Sequence, residues 1–181
     1  MRSHRNALTE IVVWPGECRV TTRPGVRLVT HDIGACIALA VHIPSIDLAA
    51  LVRFVLPDSK IQPEVAKENP WLFADTAIPR FLAIIREYEV SRQDMSIRAI
   101  GGAKIAGQMN SLSVAKGNLL ALRRTLWKEG VLLDTEDIGG NSARSVWFET
   151  STGRLIVRAD SPESNSFIAA TRKIKSCHLA S

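Results

Sequence analysis

The sequence predicts a layered α+β domain with mostly antiparallel strands and two main helices on one face of the β-structure. Two observations lead to this prediction. Four short apolar segments lie within residues 11–56 and are separated by turn-forming residues, as in consecutive β-strands. Farther along the chain, two segments with helical periodicity are separated by another strand-like segment.

The four predicted strands of the first half occupy residues 11–14, 26–30, 36–41 and 48–56. Their short connections are typical of hairpins, so neighbouring strands are expected to run antiparallel. The third strand is apolar throughout, which indicates that both of its faces are covered. Pro44 and Pro57 mark the ends of the third and fourth strands.

A helix is predicted after a polar loop at residues 60–70. Asp75 is its expected N-cap, and Pro79 falls in its first turn, where the missing N–H costs little. The apolar positions of this helix repeat at helical spacing and include Ile78, Leu82 and Ile85.

A second helix is predicted from Ser113, its expected N-cap, to Glu129, and Gly130 supplies the C-terminal stop. Its apolar face comprises Val114, Leu119, Leu122 and Leu126. The remaining predicted strands occupy residues 96–100, 131–135, 145–150 and 154–158. A tight hairpin turn at residues 151–153 joins the last two of these strands.

Composition indicates one compact domain, residues 1–181, with weakly structured ends at about 1–8 and 161–181. No apolar segment is long enough to cross a bilayer, and no signal-peptide hydrophobic segment follows the basic N-terminus. We therefore expect a cytoplasmic protein without membrane insertion. The formal net charge of +5 is modest and acids lie between most of the basic residues, so nucleic-acid binding is not predicted.

The cysteines and histidines show no spacing typical of a metal site. Cys18, Cys36 and Cys177 are far apart and form no C-x-x-C motif, which argues against a disulfide framework and a structural zinc site. The four histidines likewise show no metal-ligand spacing. We expect neither a metal ion nor another cofactor.

Cys36 lies in the segment that most clearly indicates a catalytic site. Gly34 and Ala35 are small, so the backbone can turn tightly in front of Cys36 and point N–H groups at the space beside the sulfur. Such N–H groups form an oxyanion pocket in enzymes with a nucleophilic thiol. The alternative is that Cys36 is a small hydrophobic residue buried in a strand.

Residues 30–41 resemble the signature of the chemoreceptor glutamine deamidase (CheD) family, a threonine followed by a Gly-Leu-Gly-Ser-Cys-Val type run. Shorter likenesses follow in the family's order, and together they extend over roughly residues 11–158. They are Gly16-Glu17, the Leu-Pro-Asp-Ser run ending at Ser59, residues 73–78, Gly101-Gly102-Ala103, Gly117-Asn118 and residues 136–154.

The resemblance implies a three-layer α/β/β sandwich that converts glutamine side chains of chemoreceptors to glutamate and also binds a CheC-type phosphatase. Cys36 matches the family's nucleophile and Thr30 its catalytic threonine. Arg53 stands where the family has its catalytic histidine. The resemblance places Gly101, Gly102 and Ala103 near the substrate-binding surface, whereas the residues taken by themselves are better explained by a turn.

Arg53 alters the chemistry that the family pattern implies. A guanidinium can stabilise a neighbouring thiolate, but it cannot lose a proton at physiological pH, so it cannot act as a base. Loss of general acid–base help costs about 10²–10⁴-fold in rate. His31 is expected on the surface of the turn, with a role as substitute base as the alternative, whereas His42 lies roughly 20 Å from Cys36 at about 3.3 Å per strand residue.

Three functions remain open at this point. The first is a glutamine deamidase that works through Cys36, with reduced or lost activity. The second is a non-catalytic CheD-like binding module that docks to a chemoreceptor or a CheC-type phosphatase. The third is a cysteine hydrolase of small amides, which predicts a deep enclosed pocket at Cys36.

Overall fold

The computed structural model describes residues 8–108 and 110–159. Its strands are β1 (Thr9–Val12), β2 (Glu17–Thr21), β3 (Val26–Ile33), β4 (Ile37–Ile43), β5 (Leu48–Phe54), β6 (Ser96–Gly101), β7 (Thr135–Ile138), β8 (Arg144–Glu149) and β9 (Leu155–Ala159). Its α-helices are α1 (Pro63–Glu68), α2 (Ala74–Arg86) and α3 (Ser111–Lys128). Short 3₁₀ turns connect several of these elements.

The strands form two sheets that are stacked with a helical layer. The five-stranded sheet has the order β2-β5-β4-β6-β7, and the four-stranded sheet has the order β1-β3-β8-β9. Helices α2 and α3 pack on one face of the five-stranded sheet, and the four-stranded sheet packs on its other face. The predicted α+β fold, a sandwich with two main helices on one face, is confirmed.

Strand β4 lies in the middle of the core. All seven of its residues are buried, because one set of alternating side chains faces the helices and the other faces the second sheet. Ile37, Leu39 and Val41 pack in the helix-side cluster, while Ala38 and Ala40 pack between the sheets. The prediction that both faces of this strand are covered is confirmed.

The predicted hairpins are right for some strand pairs and wrong for others. β4 pairs with β5 and β8 pairs with β9, each antiparallel. β3 and β4 do not pair with each other, because the chain leaves one sheet and enters the other between them. An irregularity in β3 between Thr30 and Ile33 and a left-handed Asp32, with φ of 54°, accompany this change of direction. The pairs β1–β3 and β6–β7 are parallel.

Strand β2 was absent from the sequence prediction. Its residues alternate between buried apolar Cys18 and Val20, which face the helices, and charged Glu17 and Arg19. Glu17 and Arg19 form an ion pair at 3.1 Å. Pairing with β5 therefore turns a short, charged segment into an edge strand, which local sequence alone does not reveal.

Both long helices are confirmed, but their caps differ from the prediction. Helix α2 begins at Ala74 with Phe73 as its N-cap, and the Asp75 carboxylate accepts hydrogen bonds from the Ser59 amide and hydroxyl instead. Helix α3 begins at Ser111, so Ser113 lies inside it, as does the pair Gly117-Asn118. Gly130 follows the helix with φ of 68°, as a C-terminal stop requires.

Two other segments differ from the prediction. The expected polar loop at residues 60–70 contains helix α1, whose first residue is Pro63. The expected strand at residues 131–135 is wrong, since the strand begins at Thr135. Val131 instead donates its amide to the Leu126 carbonyl, and the Asp134 carboxylate accepts from the Ile97 amide, so this segment closes the turn after α3.

The predicted weakly structured ends lie outside the described residues, except for Leu8. Cys177 also falls in an undescribed part of the chain. Within residues 8–108 and 110–159, no helix combines the length and apolar character that a membrane span requires.

Candidate active site

The three residues that the sequence singled out come together where the chain passes from one sheet to the other. Thr30 is in β3, Cys36 lies in the bend just before β4, and Arg53 is near the end of β5. Arg53 is opposite Ala38 in the β4–β5 register, on the face of the sheet that is turned toward the second sheet. Thr30 is fully buried, and Cys36 and Arg53 are 9% and 6% exposed.

The Arg53 guanidinium is held by five hydrogen bonds. Its Nε and Nη2 atoms donate to Cys36 Sγ at 3.3 and 3.2 Å, and Nη1 donates to Thr30 Oγ1 at 3.1 Å. The carbonyl oxygens of His31 and Asp32 accept the other two bonds, the second at 2.8 Å. A guanidinium has five N–H donors, so every one of them is engaged.

The charge of Arg53 has no carboxylate partner within salt-bridge distance in the described part of the chain. Glu17 is opposite Arg53 in the β2–β5 register, but its carboxylate accepts from the Trp14 amide and pairs with Arg19. The nearest group that can carry a negative charge against the guanidinium is therefore the Cys36 sulfur.

The turn before Cys36 is held through its carbonyl groups. The Gly34 carbonyl accepts from the Ala103 amide at 2.8 Å, and the Cys36 carbonyl accepts from the Gly102 amide at 2.8 Å. A Cβ on Gly101 would lie 2.3 Å from the Cys36 carbonyl oxygen, and Gly101 has φ of 120°. Residues 101–103 thus hold the turn through hydrogen bonds to its carbonyl groups. Their expected contact with substrate stays a prediction.

The amide groups of the same turn differ in availability. Gly34 N–H donates to the Asp32 carbonyl at 3.0 Å, so it is already engaged. The N–H groups of Ala35 and Cys36 donate to no acceptor among the described residues. Of the expected oxyanion residues Gly34 and Ala35, the geometry therefore favours Ala35, together with the amide of Cys36 itself.

Neither described histidine lies against the sulfur. The His31 side chain is exposed and stacks edge-on against Trp147 at a centroid distance of 5.4 Å. His42 is buried at the far end of β4, where its Nε2 hydrogen bonds with the Thr150 carbonyl at 2.8 Å. Only the backbone carbonyl of His31 reaches the site, through Arg53.

One buried residue of the site carried no chemical prediction. Asn118, in α3, is completely buried, and its side-chain Nδ2 donates to the carbonyls of Ala35 at 2.9 Å and Val55 at 2.7 Å. The sequence contained it only as part of the Gly117-Asn118 motif. A polar residue on the apolar face of a predicted helix was the signal that could have identified it.

Residues 55–159 match the family model described as CheD chemotactic sensory transduction. Thr30, Cys36 and Arg53 precede that span. The chain is 36% identical over 148 residues to a probable chemoreceptor glutamine deamidase CheD of Solibacter usitatus, an overlap of 82% of this chain and 88% of the relative. It is 31% identical over 147 residues to the chemoreceptor glutamine deamidase CheD of Thermotoga maritima, covering 81% of this chain and 90% of the relative.

Proposed function

The chain belongs to the CheD family of chemotactic sensory transduction proteins, and on that premise we propose that it hydrolyses glutamine side chains of chemoreceptors through Cys36. The observation that carries this proposal is the contact of the Cys36 sulfur with two N–H groups of Arg53. These two N–H groups hold the sulfur in a fixed position, and a cysteine sulfur is the atom that attacks the substrate in thiol-dependent hydrolases. We further propose that the protein acts in the cytoplasm.

The proposed reaction has two steps. The thiolate of Cys36 attacks the carboxamide carbon and forms a tetrahedral oxyanion, which the amides of Ala35 and Cys36 can stabilise. Collapse of this intermediate breaks the C–N bond, takes up a proton and releases ammonia, leaving a thioester. Water then adds to the thioester, restoring the thiol and leaving glutamate.

Arg53 makes the proton transfers of this reaction slow. We propose that it stands at the position of the family's catalytic histidine, where it holds the thiolate but cannot accept or return a proton. The protons must then come from water or from substrate groups. We expect turnover to be about 10²–10⁴-fold slower than with an imidazole at the same position.

The test uses the full chain and a recombinant cytoplasmic fragment of a chemoreceptor. Slow ammonia release is expected, with a mass increase of about one dalton per deamidated glutamine, and Cys36→Ala should abolish both. Arg53→His should raise the rate, because imidazole restores a proton donor and acceptor. The deamidase proposal would be contradicted if the unmodified chain, Cys36→Ala and Arg53→His all released ammonia at the same background rate.

A second candidate is a binding module without turnover. The identity of the sulfur's hydrogen-bond partner favours it, because among the described residues that partner is Arg53, whose guanidinium cannot move a proton. Such a module would bind the receptor fragment, or a CheC-type phosphatase, equally well with Cys36→Ala. Binding by calorimetry without ammonia release would favour this function over the first.

A further inference from the structure

The Asn118 side chain hydrogen bonds with both the Cys36 turn and the segment that follows Arg53. Its Nδ2 donates to the carbonyl of Ala35, directly before Cys36, and to the carbonyl of Val55, two residues after Arg53. The side chain reaches both because helix α3 approaches the end of β5 closely. A Cβ on the preceding Gly117 would lie 3.1 Å from Pro57 Cγ.

The bond to Ala35 determines where the Cys36 amide points. The Ala35–Cys36 peptide is trans, and in a planar trans peptide the C=O and N–H groups point in opposite directions. When Asn118 holds the Ala35 carbonyl toward α3, the Cys36 N–H must point away from the helix. The Ala103 amide acts in the same way on the Gly34 carbonyl, and so directs the Ala35 N–H.

The other polar atom of the Asn118 side chain, Oδ1, does not stabilise the described part of the fold through a hydrogen bond. This atom is buried and has no hydrogen-bond partner in the described part of the chain. An unpaired buried acceptor is unfavourable, so the contribution of this amide lies in its two donors. An apolar residue of similar size would fill the space but would leave the Ala35 and Val55 carbonyls without these bonds.

We propose that Asn118 is a positioning residue that orients the Cys36 N–H as an oxyanion donor and keeps the Cys36 turn in register with the end of β5. This inference rests on the proposed role of Cys36 as nucleophile. It adds a supporting residue that is 83 positions from Ala35 along the chain.

The test compares two reactions of Cys36 that differ in whether an oxyanion forms. Acylation by p-nitrophenyl acetate passes through a tetrahedral oxyanion, whereas alkylation by iodoacetamide displaces iodide without one. Asn118→Leu is expected to slow acylation about 10-fold or more, since a misdirected donor stabilises the oxyanion poorly. Alkylation should stay close to the rate of the unmodified chain.

Matched variants separate orientation from general loss of structure. Thr125→Val removes another buried polar group from the same face of α3, about 10 Å along the helix axis, and should change neither rate. Asn118→Asp keeps the size but leaves at most one O–H donor in place of two N–H donors, so it should slow acylation in the same direction as Asn118→Leu. The rates measured with Cys36→Ala give the contribution of the other cysteines to acylation and alkylation.

Three results would overturn the proposal. The first is an equal loss of both rates in the Asn118 variants, which would indicate a structural role alone. The second is no loss of acylation in a folded variant, and the third is acylation of the unmodified chain no faster than Cys36→Ala. Failure of ammonia release from the receptor fragment would leave this inference standing, because neither reagent requires the receptor.

Discussion

Arg53 shows how one side chain can fix a geometry and limit its chemistry. Its donors are shared between the Cys36 sulfur, the Thr30 hydroxyl and two carbonyls of the irregular end of β3. The guanidinium is therefore locked against the sulfur from several directions. A residue with fewer donors, such as histidine, would hold the same segments less firmly while gaining the capacity to move a proton.

Gly101 is the residue whose replacement we expect to damage the site most through the backbone. Gly101→Ala should lower the free energy of unfolding by about 3 kcal/mol, because its left-handed φ is strained for alanine and the Cβ would meet the Cys36 carbonyl. Urea denaturation measures this change. Gly107→Ala is the control: its φ is 78°, but apart from its chain neighbours no described residue has an atom within 4 Å of the added Cβ, so the expected loss is the conformational cost alone. Equal losses in the two variants would contradict the expected clash.

At the scale of elements, the pairing of β3 with β8 is reinforced by charges on its outer face. Arg27 in β3 is opposite Glu149 in β8, and their side chains meet at 2.7 Å. The hydrogen bond from Arg27 lowers the pKa of Glu149 below its ordinary value of 4.5, and burial only partly opposes this shift. The same bond raises the pKa of Arg27.

The stability contributed by this pair should depend on pH. Because the folded-state pKa of Glu149 is lowered, its contribution is fully present above pH of about 4.5 and is lost as pH falls through the folded-state value. Glu149→Gln should therefore reduce the free energy of unfolding near neutral pH and make less difference in acid. Glu10→Gln is the control, since Glu10 binds the same arginine at 3.3 Å but is half-exposed. A difference between Glu149→Gln and the unmodified chain that grows in acid would exclude this role.

At the scale of the whole molecule, the five-stranded sheet is the central layer and β4 is its central strand. Its neighbours β5 and β6 pair with it over nearly its full length. The site lies at one end of this strand, where β3, β5 and α3 all contact the Cys36 turn or its partners. The site thus lies at the end of two strands, β4 and β5, whose residues are all buried, which favours a fixed geometry.

Amide hydrogen exchange should reflect this layering. We expect the slowest exchange in β4 and β5, which open only with global unfolding, and faster exchange in the edge strands β7 and β9, which have more exposed residues. Exchange followed by mass spectrometry of peptic peptides measures this order. Protection of β9 equal to that of β4 would show that the four-stranded sheet opens only with the core.

The sequence identified those parts of the fold that local patterns encode. Helical periodicity located α2 and α3, and a fully apolar segment located β4 with both faces covered. The resemblance to the family also placed Thr30, Cys36 and Arg53 among the candidate site residues. The predictions of the helix caps and of the strand that begins at residue 135 were less accurate. In the case of Asp75, hydrogen bonds with the distant Ser59 override the local preference for a cap.

The sequence by itself determined the layer type, the main helices, the buried central strand and the chemical identity of the candidate nucleophile. Only the tertiary structure decided that β3 and β4 belong to different sheets, that β2 forms an edge, and that Asn118 reaches the Cys36 turn. The physical reason is that periodicity and turn preferences act over a few residues, whereas strand pairing and buried hydrogen bonds join segments that are far apart along the chain.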